Sequence, residues 1–165
     1  MHIVLEGPDN AGKSTLAERL AAELKRQVIF SEGREKHPGE INERVKRYID
    51  TYRKTPVIFD RHPVVSQKIY SLVKANTPVD HLLEVEFYNA FPLFVYCRAK
   101  PDKGMVGHIA KAYDEADYLK TIEDTFPRLV KAYDDWALQH AHFIYRIGDN
   151  MVQFVNSIKG ALNES

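Results

Sequence analysis

Residues 7–15 read GPDNAGKST and follow a short apolar run, HIVLE. Gly7 and Gly12 stand with four residues between them, and Lys13 and Ser14 follow directly. Each residue type suits the holding of phosphate. The glycines let the backbone curl with its N–H groups turned inward, toward phosphate oxygens. A helix starting near Lys13 would add the positive end of its dipole. Lys13 reaches the outer phosphates as a point charge, and the Ser14 hydroxyl suits Mg²⁺ bridging them. Asn10, Ala11 and Thr15 complete the stretch as further contacts. A glycine turn with a surface lysine would carry the same letters, but this one falls between a strand-like run and an amphipathic helix, as phosphate binding requires. The stretch is therefore read as a purine nucleoside triphosphate site, with ATP and Mg²⁺ as its occupants. Asp9 is out of place here, since a carboxylate is a poor neighbour for phosphate.

A second group of residues lies in VIFDRH. Asp60 ends an apolar strand, where a carboxylate can hold the metal or its water. Arg61 follows and would lie near the transferred phosphate. The plainer alternative has Asp60 capping the helix that opens at Pro63 and Arg61 pairing on the surface.

The elements that must position these groups alternate. Strands are expected at 2–6, 28–30, 56–60, 93–97 and 142–147, each a short, largely apolar run. Between them fall helical patterns. Leu16, Leu20 and Leu24 lie on one face of the first, and Ile41, Val45, Tyr48, Ile49 and Tyr52 on one side of a helix over 39–54. Pro63 opens another helix, Asp80 caps one over about 80–90, and a last helix begins near Asp149, which can cap it, and carries Val152, Val155, Ile158 and Leu162. In the charged stretch 100–141, Pro127 should break or kink the pattern near Thr125. Such alternation predicts an α/β fold of three layers, a five-stranded parallel sheet with helices on both faces.

Composition narrows the function classes. The chain of 165 residues fits one domain with a sizeable core. Lys plus Arg equals Asp plus Glu at 23 each, so bulk charge attracts neither nucleic acid nor a membrane surface. No run approaches the length of a membrane span, and Cys97, the sole cysteine, reads as a small buried hydrophobe on a strand. These features lead us to expect a cytoplasmic setting. The seven histidines show no metal-ligand spacing beyond His140 and His142, and none is assigned to a metal. His62 either lines the acceptor pocket or lies on the surface.

With these motifs in hand, the chain resembles the thymidylate kinases and related nucleoside monophosphate kinases, and in its shortened form the phage-encoded deoxynucleotide kinases. EGPDNAGKST is similar to the family's E-G-x-D-x-x-G-K-S-T loop, and DRHPVVSQKIY to D-R-[HY]-x-x-S-x-x-A-Y, with one extra residue before Ser66. GREKHPGE, FPRLVKAYDDWA and YRIGDN follow other family segments loosely. The resemblance implies a phosphate-loop kinase fold with a helical lid over about 98–118, and a set of roles. Asp9 would accept from the sugar 3′-hydroxyl of a monophosphate, Arg61 would grip its phosphate, and Arg34 would line the same pocket. Ser66 and Tyr70, one helical turn apart, would face the acceptor. Asp149 would lie beside the adenine of ATP. Homodimers, common in the family, are a further implication.

The chain departs from the family at three places. Asn10 stands where one class has an arginine. The candidate lid has only Arg98 near its base, with Lys100, Lys103 and Lys111, and Arg98 or one of these lysines would complete the catalytic site on closure. The helical segment that reads thymine in the family is largely absent, so Tyr48, Tyr52, Arg53, Phe87 and Tyr88 become the candidates for replacing it. The expected activity is transfer of the ATP γ-phosphate to a (deoxy)nucleoside monophosphate, dTMP by default. Two rivals stand beside it, a deoxynucleoside kinase with a hydroxyl acceptor and a nucleotide-dependent switch with no acceptor.

Overall fold

The computed structural model describes residues 1–73, 75–99 and 116–163, with side chains from 125 onward in the last stretch. The greater part of the candidate lid, including Lys100, Lys103 and Lys111, lies outside the described residues.

The strands are β1 (Ile3–Glu6), β2 (Val28–Phe30), β3 (Ile58–Asp60), β4 (Leu93–Arg98) and β5 (Phe143–Arg146). Interleaved with them come α1 (Lys13–Leu24), α2 (Glu40–Lys54), α3 (Pro63–Tyr70), α4 (His81–Asn89), α5 (Ala116–His140) and α6 (Met151–Asn163). All strand pairs are parallel, in the order β2-β3-β1-β4-β5. β1 is central, with Ile3 opposite both Ile58 and Leu93, and Leu5 opposite Asp60. Every residue of β1 is buried, as a strand covered on both faces requires. The chain leaves β1 to build one half of the sheet and then crosses to the other. The carboxyl ends of β1 and β3 therefore flank the crevice where such sheets bind ligands.

Alternation along the strands divides the core in two. Ile3, Leu5, Ile58, Val95 and Cys97 pack with Leu16 and Leu20 of α1 and Val155 and Ile158 of α6. Val4, Phe59, Phe94 and Tyr96 pack with Val45, Tyr48 and Ile49 of α2, Val65 of α3 and Phe87 of α4. Helix α5 contributes to both, through Phe126 and Val130 on one side and Leu129 and Tyr133 on the other.

Local detail departs from the sequence expectations in four places. Pro127 lies inside α5, which continues past it. The residue withholds one N–H, but Phe126, Leu129, Val130 and Tyr133 are buried around it, and that packing outweighs one lost hydrogen bond. Asn150, not Asp149, caps α6, its Oδ1 accepting from Gln153 N at 3.1 Å. Asp80 precedes α4 but makes no side-chain cap bond. Val152 is exposed and contributes nothing to the α6 seam.

His62 is neither on the surface nor in the pocket. It is fully buried, stacked on Phe87 with centroids 4.1 Å apart, and its Nδ1 caps α3 by accepting from Val64 N at 3.2 Å. His2 stacks likewise on Tyr52 at 4.2 Å. Burial holds both rings neutral, pushing the pKa of His62 well below its usual value and that of His2 down to about 4.

Candidate active site

The loop after β1 is held against β4 by contact with its backbone. Gly7 has φ 150°, and a Cβ there would stand 2.1 Å from the Cys97 carbonyl oxygen. Asn10 and Gly12 take left-handed conformations, φ 58° and 81°, which give the loop its curl before α1 begins. A Cβ on Gly12 would meet Ile147 Cγ1 at 3.2 Å, so the turn after β5 closes over this end of the loop. Asp149 lies in that turn, its Oδ2 accepting from Arg146 N at 2.8 Å.

Gly7→Ala is expected to cost about 2–4 kcal/mol, because the collision is with main chain that cannot swing aside. Gly33→Ala, also at positive φ (78°) but with nothing within 4 Å, should cost only about 1 kcal/mol of backbone strain. Urea melts of the two variants check this, and similar losses would show that the close approach to β4 is unimportant.

Lys13 is buried at the start of α1, with Nζ donating to the Pro8 carbonyl at 2.5 Å. Burial, reinforced by the Arg61 charge, pulls its pKa down to about 8. The ammonium thus lies inside the loop, poorly solvated and short of anionic partners, a state that a phosphate chain would relieve. Ser14 Oγ donates to Asp60 Oδ2 at 2.8 Å across the loop. A hydroxyl and a carboxylate, both hard oxygen donors, at the edge of a phosphate cradle are a donor set that suits Mg²⁺, which takes one or two protein ligands and fills its octahedron with phosphate and water. Asp60 does not cap α3; His62 has that role.

Arg61 has a left-handed backbone, φ 67°. Two neighbours impose it. Arg61 N donates to Leu5 O at 2.9 Å, and the next amide, His62 N, donates to Glu6 Oε1 at 2.7 Å. Glu6 Oε2 accepts from Tyr133 OH at 3.0 Å, tying α5 to the same carboxylate. Burial pushes the Glu6 carboxyl up to about 7, against the opposing pull of these hydrogen bonds and of the Arg61 and Lys13 charges. So held, the Arg61 guanidinium reaches Gly7 O at 3.2 Å and Asp9 Oδ1 at 2.6 Å and lies over the Tyr70 ring at 5.5 Å. Asp9, Arg61 and Tyr70 are therefore brought together, and Asp9 here holds a guanidinium.

Beyond Arg61 opens a polar pocket with about 310 Å³ of space between atoms, walled by Glu32, Arg44, Tyr48, Ser66 and Gln67. Arg44 is buried and well partnered. Its Nη2 lies 2.8 and 2.7 Å from the two Glu40 oxygens, and its Nη1 donates to Gly33 O at 2.8 Å. Glu32 also receives Arg47, with Nη2 at 2.7 Å from both carboxylate oxygens. Ser66 lines the pocket, with its hydroxyl donating to His62 O at 3.1 Å.

Arg34 sits on the exposed β2–α2 loop, where its carbonyl accepts from Arg44, and its side chain is not a wall of this pocket. Arg98 turns to α5 and pairs with Asp134 through Nε at 3.0 Å and Nη2 at 3.1 Å. Sequence reasoning missed Glu6, Glu32, Arg44 and Gln67. Only Arg44 left a local signal, its spacing of four residues from Glu40 on one helix. Among the described residues, no group of three or more His, Cys, Asp or Glu side chains forms a metal site, and no helix is long and apolar enough to cross a membrane.

No protein-family model and no curated protein matches the chain. Solved structures do. YorR from Bacillus subtilis, crystallised in complex with phosphorylated GDP, superposes with a TM-score of 0.70 at 21% identity, covering 99% of this chain and 96% of that one. The deoxyadenosine kinase of M. mycoides, with products dCMP and a flexible dCDP bound, gives 0.65 at 20% identity over the whole of both chains. Shikimate kinase from Acinetobacter baumannii, in complex with shikimate, gives 0.57 at 16% identity, covering 99% and 93%. The chain has the three-layer phosphate-loop fold that these kinases share. Residues 7–12 follow the carboxyl end of β1 and lead into α1.

Proposed function

We propose that the protein is an ATP-dependent phosphotransferase whose acceptor is a (deoxy)nucleoside monophosphate. The observation that carries this reading is Arg61, whose guanidinium is fixed between the phosphate loop and the pocket by a backbone conformation that Glu6 and Leu5 impose. The loop amides and Lys13 hold the triphosphate tail of ATP. Ser14 and Asp60 hold Mg²⁺, which when bound neutralises charge on the β- and γ-phosphates. Arg61 exchanges Asp9 for the acceptor phosphate and presents it in line, which lowers the barrier chiefly by positioning. One acceptor oxygen forms a bond to the γ-phosphorus as the bond to the β,γ-bridging oxygen breaks, and ADP leaves with that oxygen. The acceptor oxygen is already ionised at neutral pH, so no general base takes part. Asp9, released from Arg61, is free to accept from the sugar hydroxyl.

A hydroxyl acceptor is the second reading, favoured by one observation. Glu32 stands in the pocket wall at the end of β2, where a carboxylate could take the hydroxyl proton as the new bond forms.

Initial rates of ADP release with ATP, Mg²⁺ and matched deoxynucleosides and monophosphates separate the two. Arg61→Ala is expected to weaken monophosphate acceptors at least about tenfold in KM and about 10²-fold in kcat/KM, with ATP affinity little changed. Turnover of free nucleosides that Arg61→Ala leaves intact and Glu32→Gln abolishes would establish the second reading instead.

A further inference from the structure

The pocket described above contains a side-chain amide whose orientation is set from behind. Gln67 lies on α3 beyond Arg61, and Asn76, in the loop leading to α4, sits against it. Asn76 Nδ2 lies 2.8 Å from the Gln67 main-chain oxygen and 3.1 Å from Gln67 Oε1. A main-chain carbonyl can only accept, so the Asn76 group facing it must be its NH₂. That NH₂ also faces the Gln67 side chain, whose atom there must then be the oxygen. The Gln67 NH₂ is the end left over, and among the described residues it has no partner.

A second donor stands in the same wall. Burial and the neighbouring Glu32 carboxylate push the Tyr48 pKa up to about 12, so its phenol is protonated at neutral pH. The Tyr48 OH is buried beside the Glu32 carboxylate, without a partner at full hydrogen-bond geometry among the described residues. The Glu32 carboxylate of the same wall already receives Arg47 on both oxygens. A ligand atom that accepts would complete the Gln67 NH₂.

We infer that Gln67, oriented by Asn76, selects nucleobases with a carbonyl at pyrimidine C4 or purine C6 (thymine, uracil, hypoxanthine and guanine) over those with an amine at that position (cytosine and adenine). The inference rests on the acceptor reading proposed above and narrows its substrate class. An NH₂ donating to a carbonyl completes both groups, whereas an NH₂ meeting an amine leaves two donors opposed and desolvated. Sites built on such a bond reject the mismatched analogue more strongly than apolar pockets reject a change of size. Asn76 is a positioning residue here, and Gln67 makes the contact.

Two pairs of probes isolate the effect, because dUMP differs from dCMP, and dIMP from dAMP, chiefly at the exocyclic group and adjoining ring nitrogen. Binding by calorimetry and ADP release are measured in parallel on the full chain. We expect dUMP over dCMP, or dIMP over dAMP, by at least about tenfold in Kd. In Asn76→Asp the new carboxylate accepts from the Gln67 NH₂ and turns the amide, and in Gln67→Glu the donor is gone. Either change should bring the ratio to within about threefold or invert it, while ATP affinity, which reports the intact phosphate loop, is unchanged.

A wild-type ratio near one, a wild-type preference for the amino bases, or a ratio unaltered in both variants overturns the inference. Selective binding without ADP release would sink the phosphotransfer reading and leave this one standing. ADP release without selectivity would do the reverse, and no binding of any of the four would sink both.

Discussion

Lys13→Met is expected to abolish most ATP-dependent ADP release, by about 10²–10³-fold, and at the same time to stabilise the fold. The loss follows from removing an ammonium buried in the loop proposed to hold the triphosphate, where charge would develop on the β–γ bridge. The gain follows from burial. Lys13 is 7% exposed, its Nζ has a main-chain carbonyl as its short contact, and its pKa is pulled down to about 8 from an unfolded value of 10.5. Between those two pH values the unfolded chain binds a proton that the folded chain does not, so wild-type stability rises with pH across that window. The full span amounts to about 3 kcal/mol. At pH 7 the charged, desolvated lysine therefore costs the fold stability, and methionine of similar length removes the cost. Urea melts at pH 7 and pH 10 should show a gain with pH in the wild type that Lys13→Met lacks. A variant less stable than the wild type at pH 7 would mean that the ammonium is well satisfied where it lies.

Glu6→Ala is expected to destabilise the protein by about 2–4 kcal/mol and to lower kcat/KM for the acceptor by about 10–10²-fold. It leaves the His62 N–H and the Tyr133 OH buried without partners, each a cost of about 1–3 kcal/mol. It also releases the left-handed Arg61, a conformation that persists only where its surroundings impose it. Glu6→Gln keeps an acceptor for His62 and should retain most of the fold.

The two variants separate charge from geometry through their pH dependence. The folded carboxyl titrates near 7 and the unfolded one at 4.5, so the folded state binds the extra proton between these values. Its contribution is complete below about 4.5 and is lost as the pH rises through 7, whereas glutamine, always neutral, shows no such decline. Melts of Glu6→Gln that fall with pH as steeply as the wild type would remove Glu6 from the account. If Glu6→Ala binds its acceptor normally, Arg61 does not need the carboxylate to hold its place.

The chemistry that the sequence determined by itself lies in contiguous stretches. The phosphate loop is legible because Gly7, Gly12, Lys13 and Ser14 act through one run of backbone, and spacing alone puts their groups in one cradle. The strands and the buried faces of α1 and α2 are legible for a related reason, since apolar periodicity records which side of an element is buried. Asp60 and Arg61 were found because they end a strand. Their partners were not, because those come from elsewhere in the chain. Glu6 was in plain view beside Gly7, but its protonation and its grip on His62 depend on β1 being central in the sheet and on Tyr133 arriving from α5, 127 residues away.

Gln67 reads as an ordinary polar residue of a helix until Asn76 is folded against it, and Arg44 as a solvated one until Glu40 and Gly33 close around it. Pro127 and His62 err in the opposite direction. The local rule for each was sound, a break and a polar site, but burial against the sheet outweighs one missing hydrogen bond or one uncharged ring. Sequence spacing therefore sufficed for the groups of the loop between β1 and α1, which we propose hold the donor phosphates. On the proposed acceptor side Arg61 and Ser66 were legible, but the surroundings of Gln67 and Arg44 were decided only by tertiary packing, because they depend on which polar atoms are left without partners once the chain has closed on itself.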